Sequence, residues 1–357
     1  MRVILKKLGS YSVVSARRVS RGRVKTLLPG EDASDATDPE ITRVWERFPK
    51  ILRRRTADPE HIYHVHSAAV ELLVKNVNPT SEEALIFEAN PGPGVLTKAL
   101  LEAGIPQLRV FEKIPVFVGH LELLKEQYPS QLDIVREDFL RLASISASDE
   151  YGVTERTSQL LRGVPHLPWK NEPVVRVVGT LSRKKEVTFL RFLLHVLPQR
   201  ASIFAVGRID FLLFISGLEY TVPRRLFLPL PPKWKPKPNN VAVDHDNLFL
   251  VRLTPRSDLF ELLTPPERLL ELVFFIRQNM VKRTAYVIPT LEKWIPGCGP
   301  RLIHCGVKVF SRMGDLSPDQ MLTLFQQFSA LSEYQDSPFI AAVTREMREE
   351  DPSYPEL

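Results

Sequence analysis

Apolar residues recur at helical spacing over 64–77, where Val65, Ala68, Ala69, Leu72 and Leu73 share one face and predict a helix. Beyond it, short β-like runs alternate with helical stretches. The pattern predicts strands over 84–88, 109–112, 132–135, 174–178 and 201–206, and helices over 95–103, 115–126 and 187–197. Strands separated by helical pattern imply a parallel, doubly wound sheet, which binds ligands outside the carboxyl ends of its strands. A Lys/Pro loop at 233–238 precedes a strand over 247–253. From 258 onward the pattern is helical, with helices over 267–281 and 317–331 on either side of a Gly/Pro break at 296–299. Residues 31–63 are polar, carry Pro39, Pro49 and Pro59 with a basic run at Arg53–Arg55, and read as a linker. No internal repeat is present. The expected organisation is an α/β domain over 64–255 and a smaller helical domain over 256–332.

Charge changes this picture at the two ends. The 357-residue chain has a formal net charge of +6, yet residues 1–30 hold eight basic side chains and no acid, which leaves −2 for the rest. That Arg-rich, Ser-bearing start reads as a mitochondrial transit peptide, with a basic nucleic-acid-binding arm as the competing reading. Residues 333–357 carry seven acids against two arginines, a net of −5, and read as a disordered tail or a contact for another protein. The body over 31–332 is thus only +3, so any binding of nucleic acid must use locally concentrated charge. The densest apolar stretch, 204–218, is interrupted by Arg208 and Asp210 and reads as buried strand and helix, not as a membrane span. Cys298, His304 and Cys305 fall short of a four-ligand zinc set, so no metal is expected.

The strongest local signal is the run Phe87-Glu88-Ala89-Asn90-Pro91-Gly92-Pro93-Gly94-Val95-Leu96-Thr97. A strand ends in an acid, a Gly-rich turn follows, and a helix begins whose unpaired N–H groups can receive an anion. A Gly-x-Gly also fits a dinucleotide site, but the third glycine of that fingerprint is Thr97 here, and no evident His or Tyr constellation supports a nicotinamide-dependent oxidoreductase. Glu112 closes the second strand, where a carboxylate can meet two ribose hydroxyls. Asp138 follows the third, where it can meet an adenine amino group.

Glu88 to Thr97, Glu112 and Asp138 resemble the first three motifs of the rRNA adenine dimethyltransferase family, over roughly residues 64–332. The resemblance implies a Rossmann-like S-adenosylmethionine-dependent methyltransferase sheet with a smaller helical C-terminal domain. It also implies a cofactor, S-adenosyl-L-methionine, held by Glu88, Asn90, Gly92, Gly94, Glu112 and Asp138. Asn90 stands where the family's pattern has its first glycine. After the fourth strand the family places Asn-(Leu/Ile)-Pro-Tyr or a close variant, whose amide holds the target adenine and whose ring stacks on the flipped base. This chain has Gly179-Thr180-Leu181-Ser182, so the amide, the proline and the ring are all missing.

That loss resembles the mitochondrial transcription factor B branch, in the paralogue specialised for transcription. The implied function is initiation with the single-subunit mitochondrial RNA polymerase on promoter DNA, single-stranded when melted, in the matrix nucleoid. The alternative is an active dimethyltransferase acting on small-subunit rRNA. Candidate nucleic-acid contacts are Arg183, Lys184 and Lys185 beside the altered motif, Arg208, and Lys233, Trp234 and Lys235 in the Lys/Pro loop. Arg224-Arg225, Lys237 and Lys282-Arg283 add charge. Phosphate neutralisation with base stacking holds a single strand without strong sequence preference.

Overall fold

In the computed structural model, the described residues are 39–52, 61–77, 85–143, 155–215, 221–223, 227–228, 247–263, 265 and 268–350, with dipeptide strands at 2–3, 6–7 and 10–11. The expected contacts Lys233, Trp234 and Lys235 lie outside them, as do Arg224, Arg225, Lys237 and most of the expected transit peptide.

The central sheet contains β2 (Leu85–Ala89), β3 (Gln107–Phe111), β4 (Leu132–Val135), β5 (Val175–Thr180), β6 (Ile209–Ile215), β7 (Thr221–Pro223) and β9 (Asn247–Thr254). Its order is β4-β3-β2-β5-β6-β9, with β7 also paired to β9, and Arg2–Val3 adds an edge beside β9. The strands from β4 to β6 are parallel, and β9 runs antiparallel to β6. The chain leaves β2 toward β3 and β4, then crosses back to β5 on the other side. The switch point therefore lies between the carboxyl ends of β2 and β5, where such sheets bind ligands. This strand order, closed by one antiparallel strand, is the Rossmann-like methyltransferase fold.

Alternation along each strand divides the core. Ile86, Val178, Leu212 and Phe214 face α3 (Ser67–Val77), α4 (Val95–Glu102) and α5 (Pro115–Gln127), packing on Leu73, Leu100 and Leu121. Phe87, Val177, Phe211 and Leu213 face the other way, onto Phe189 and Val196 of α8 (Arg183–Gln199). The second cluster runs without a break into α9 (Arg268–Met280), α12 (Pro318–Ser329) and α13 (Pro338–Glu350), where Phe275, Phe325, Phe328 and Phe339 are completely buried. The helical region thus shares its core with the sheet. At the amino end of the parallel strands, Asp210 accepts hydrogen bonds from Arg176 at 2.7 Å and from Arg252 at 2.7 and 2.9 Å. Thr254 donates to it at 2.6 Å. This charged row joins β5, β6 and β9 and fixes the antiparallel strand in register.

Four expectations are corrected. The 201–206 stretch is a 3-10 turn, Ser202–Val206, and the strand comes after it, at Ile209–Ile215. Ser202 has φ of +50°, and a chain turning there cannot run as a strand. The linker contains α1 (Pro39–Arg47) and α2 (Pro49–Leu52), and Ile41, Val44 and Phe48 are buried beside Phe117. The first part of the acidic tail is not disordered: Phe339, Ile340 and Val343 of α13 are core residues. Net charge does not register this, because the apolar positions 339, 340 and 343 recur at helical spacing among the charged ones. Arg208 is 7% exposed and donates to the carbonyls of Asn171 and Pro255, so it ties loops together and is closed to nucleic acid.

Candidate functional site

The turn after β2 is shaped by three left-handed residues, Asn90 (φ +54°), Gly92 (+61°) and Gly94 (+77°). Asparagine is among the few non-glycine residues that tolerate this region, which is why Asn90 can occupy a glycine position. Glu88 is the penultimate residue of β2 and is 1% exposed; Thr97 on α4 donates to its Oε2 at 2.7 Å, while Oε1 is buried without a partner. Burial, opposed by the Thr97 hydrogen bond and reinforced by Glu112, pushes the Glu88 carboxyl up to about 8, so it is mostly protonated at neutral pH.

Glu112 follows β3 and is 2% exposed. Its Oε2 accepts from the Gly92 N–H at 2.9 Å and its Oε1 from the Ile114 N–H at 2.8 Å. Burial raises its pKa against those hydrogen bonds. Asp138 lies after β4, also 2% exposed. Lys113 donates to its Oδ2 at 3.1 Å and Lys185 at 3.5 Å, with the His61 ring at 3.8 Å and the Leu140 N–H on Oδ1. Burial works to raise its pKa, but Lys113, Lys185 and His61 outweigh that and hold the carboxyl below its usual range. The structure therefore brings Glu88, Asn90, Gly92, Gly94, Glu112 and Asp138 to one end of the sheet.

A short strand that the sequence reading passed over lies across this end. β1 (Tyr63–His64) pairs antiparallel with β8 (Phe227–Leu228). Tyr63 is 3% exposed and packs so closely on the turn that a Cβ at Gly92 would lie 2.1 Å from its ring. Its ring meets Phe117 edge-on at 5.2 Å and stacks with His61 at 6.3 Å. His64, the next residue, points to the other half of the switch point. Its Nε2 lies 2.9 Å from Thr180 Oγ1, and its ring tilts against Phe214. Burial drops its pKa to about 3, so the imidazole is neutral. Three histidines within six residues, His61, His64 and His66, were the available signal for this segment.

The Gly179–Ser182 motif is closed as well. Gly179 pairs with Ala89 of β2 and Leu213 of β6. Its φ is +155°, and a Cβ there would come within 3.0 Å of the Ala89 carbonyl oxygen. A side chain at that position would be strained at this φ and pressed on the Ala89 backbone. Thr180 is taken by His64, and Leu181 and Ser182 are each 2% exposed, with Ser182 Oγ buried and unpartnered. Lys185 is drawn in toward Asp138. Arg183 and Lys184 begin α8, and their side chains lie outside the described residues.

The donor set suits S-adenosylmethionine in type and position: three carboxylates at successive strand ends and a left-handed turn before a helix. The space does not suit it. The three acids are 1–2% exposed, Tyr63 sits on the turn, and Asp138 is already engaged by cations. Tyr63 is packed on the turn, so access to it depends on this ring. Among the described residues, no group of three or more His, Cys, Asp or Glu could hold a metal ion, and no helix is long and apolar enough to cross a membrane.

No protein-family profile matches the chain. It is 27% identical to dimethyladenosine transferase 2, mitochondrial, of Drosophila melanogaster, over 85% of this chain and 83% of the fly protein. It is 30% identical to the protein of the same name from Rattus norvegicus, over 58% of this chain and 61% of that one. These relatives support the resemblance to the rRNA adenine dimethyltransferase family. Among solved structures it is similar to a dimethyladenosine transferase from Plasmodium falciparum, with a TM-score of 0.46 and 11% identity over 74% of this chain and 96% of that one.

Proposed function

We propose that this chain is a mitochondrial transcription initiation factor, acting with the single-subunit mitochondrial RNA polymerase to open promoter DNA and hold the melted strand. In this reading the methyltransferase body is a scaffold, and the protein works in the matrix nucleoid. The observation that carries it is the sealed motif after β5. Gly179 supplies no amide and would hold one only under strain against Ala89, Thr180 is bonded to His64, and no aromatic ring stands at Ser182. Extruding an adenine for methylation requires a pocket that reads its edge and stacks on its face, and neither function has a residue here. Relatives named as mitochondrial support the compartment.

The competing function is methylation of small-subunit rRNA, for which the retained Glu88, Glu112 and Asp138 speak. The two separate in one experiment. Residues 31–357 are added to promoter-dependent run-off transcription with purified mitochondrial polymerase, beside a labelled S-adenosylmethionine transfer assay on small-subunit rRNA. Initiation that depends on the chain, without methyl transfer, is the expected result. Methyl transfer without any effect on initiation reverses the assignment.

A further inference from the structure

Away from the sheet, two segments of the helical region meet edge to edge. Val287 N–H donates to Ser311 at 2.9 Å, Met313 N–H to Ala285 at 2.9 Å, and Gly314 N–H to Arg283 at 2.8 Å, with Tyr286 and Arg312 bridged as an isolated β pair. These bonds make a firm ledge that carries large apolar groups in solvent. Phe310 is 81% exposed, Val281 83%, Val309 49% and Tyr286 42%. The Phe310 and Tyr286 rings meet edge-on at 6.4 Å, and the Arg312 guanidinium lies 5.6 Å from the Tyr286 ring. Lys282, Arg283, Lys308 and Arg312 are exposed on the same two segments, and among the described residues none of the four forms an ion pair.

An exposed ring of this size needs a reason, since monomers keep such groups scattered or covered. The centre of a protein–protein interface is depleted of charge, whereas here four exposed cations share two short segments with the two rings, and Asp315 is the acid that follows them. That combination complements a polyanion whose faces are aromatic and unpaired. We propose that this ledge binds a single-stranded polynucleotide. Bases stack on Phe310 and Tyr286, and phosphates lie on Lys282, Arg283, Lys308 and Arg312. A duplex offers the phosphates but not the base faces, so the surface selects melted or unpaired strands. This deepens the proposed function and rests on it.

The test is fluorescence anisotropy of the full chain with a labelled 20-nucleotide single-stranded DNA, the same sequence as RNA, and the corresponding duplex, at several salt concentrations. Phe310 is mostly in solvent, so Phe310→Ala should leave the thermal transition in place. It should weaken single-strand binding roughly 5- to 150-fold, the range that loss of one stacked base implies, while duplex binding barely changes. Combined Lys282→Gln, Arg283→Gln and Lys308→Gln should lower the slope of log affinity against log salt by about 2. Preference between the DNA and RNA arms identifies the natural strand. Unchanged affinity and slope in both variants, with the parent binding single strands, overturns the ledge and leaves the proposed function standing. A parent that binds no single strand removes both. Normal strand binding with lost polymerase-dependent initiation makes the ledge a protein contact and also overturns the proposal.

Discussion

Replacing Tyr63 by alanine tests whether one ring closes the nucleotide cleft. The side chain is 3% exposed and wedged between Phe117, His61 and the Gly92 backbone. Truncating a buried aromatic residue costs roughly 3–5 kcal/mol through lost burial and the cavity left behind. At about 2–4 °C per kcal/mol for a domain of this size, the midpoint of thermal unfolding should fall by roughly 6–20 °C. The cavity opens directly on the left-handed turn and beside Glu112. The variant is therefore expected to show a larger rise in its unfolding midpoint with added S-adenosylmethionine than the parent does. Saturation at a hundred times the dissociation constant would restore about 2.7 kcal/mol. The assay is differential scanning fluorimetry of both proteins across a cofactor titration, checked by calorimetry. The reasoning is refuted if the parent is stabilised by the cofactor as much as the variant is, because the cleft would then be open with the ring in place.

Other groups make separable claims. Glu88 holds its proton to about pH 8 in the folded chain but ionises near 4.5 when unfolded, so it removes stability as pH rises through that window. Glu88→Gln should be the more stable protein at pH 9 and lose the advantage at pH 4, read from urea midpoints; parallel profiles would sink the idea. Asp210 has the opposite sign: Arg252, Thr254 and Arg176 hold its folded pKa low against burial, so its contribution is present above the unfolded pKa and lost as pH falls through the folded one. Asp210→Ala leaves two arginines facing each other and should cost roughly 3–5 kcal/mol in denaturant unfolding, a loss under 1 kcal/mol being inconsistent with the row. Arg208→Ala should lower stability by about 2–4 kcal/mol through its charged hydrogen bonds and leave single-strand affinity unchanged; a selective loss of affinity would return Arg208 to the binding surface.

The alternation of strands and helices was readable because period and turn chemistry agree locally. Gly104 stops α4 and Pro115 starts α5 where the pattern places them. The acids at the strand ends were readable for the same reason, since a position relative to a strand's end is a one-dimensional property. What the sequence hid is three-dimensional. Arg208 and Lys185 look alike along the chain, yet the first is buried on backbone carbonyls and the second is drawn to Asp138. Tyr63 and His64 occupy a two-residue strand whose partner lies far downstream, so no local window contains the information that makes them a cover. Gly179 reads as a lost asparagine in the sequence; only its φ and its packing against Ala89 show that a side chain there would be strained.

The pairing of β1 with β8 leads us to expect an order of assembly. The bond between His64 and Thr180 spans 116 residues, and the strand that supports it lies later still. Contacts this distant close slowly, after local helices and neighbouring strands have formed, and chains are made from the amino end. The glycine turn is complete many residues before its cover can be held in place. If the order holds, Glu88, Glu112 and the turn face solvent during folding and are withdrawn in the finished protein. Refolding followed with a fluorescent nucleoside should show binding that rises early and disappears as the last strands dock.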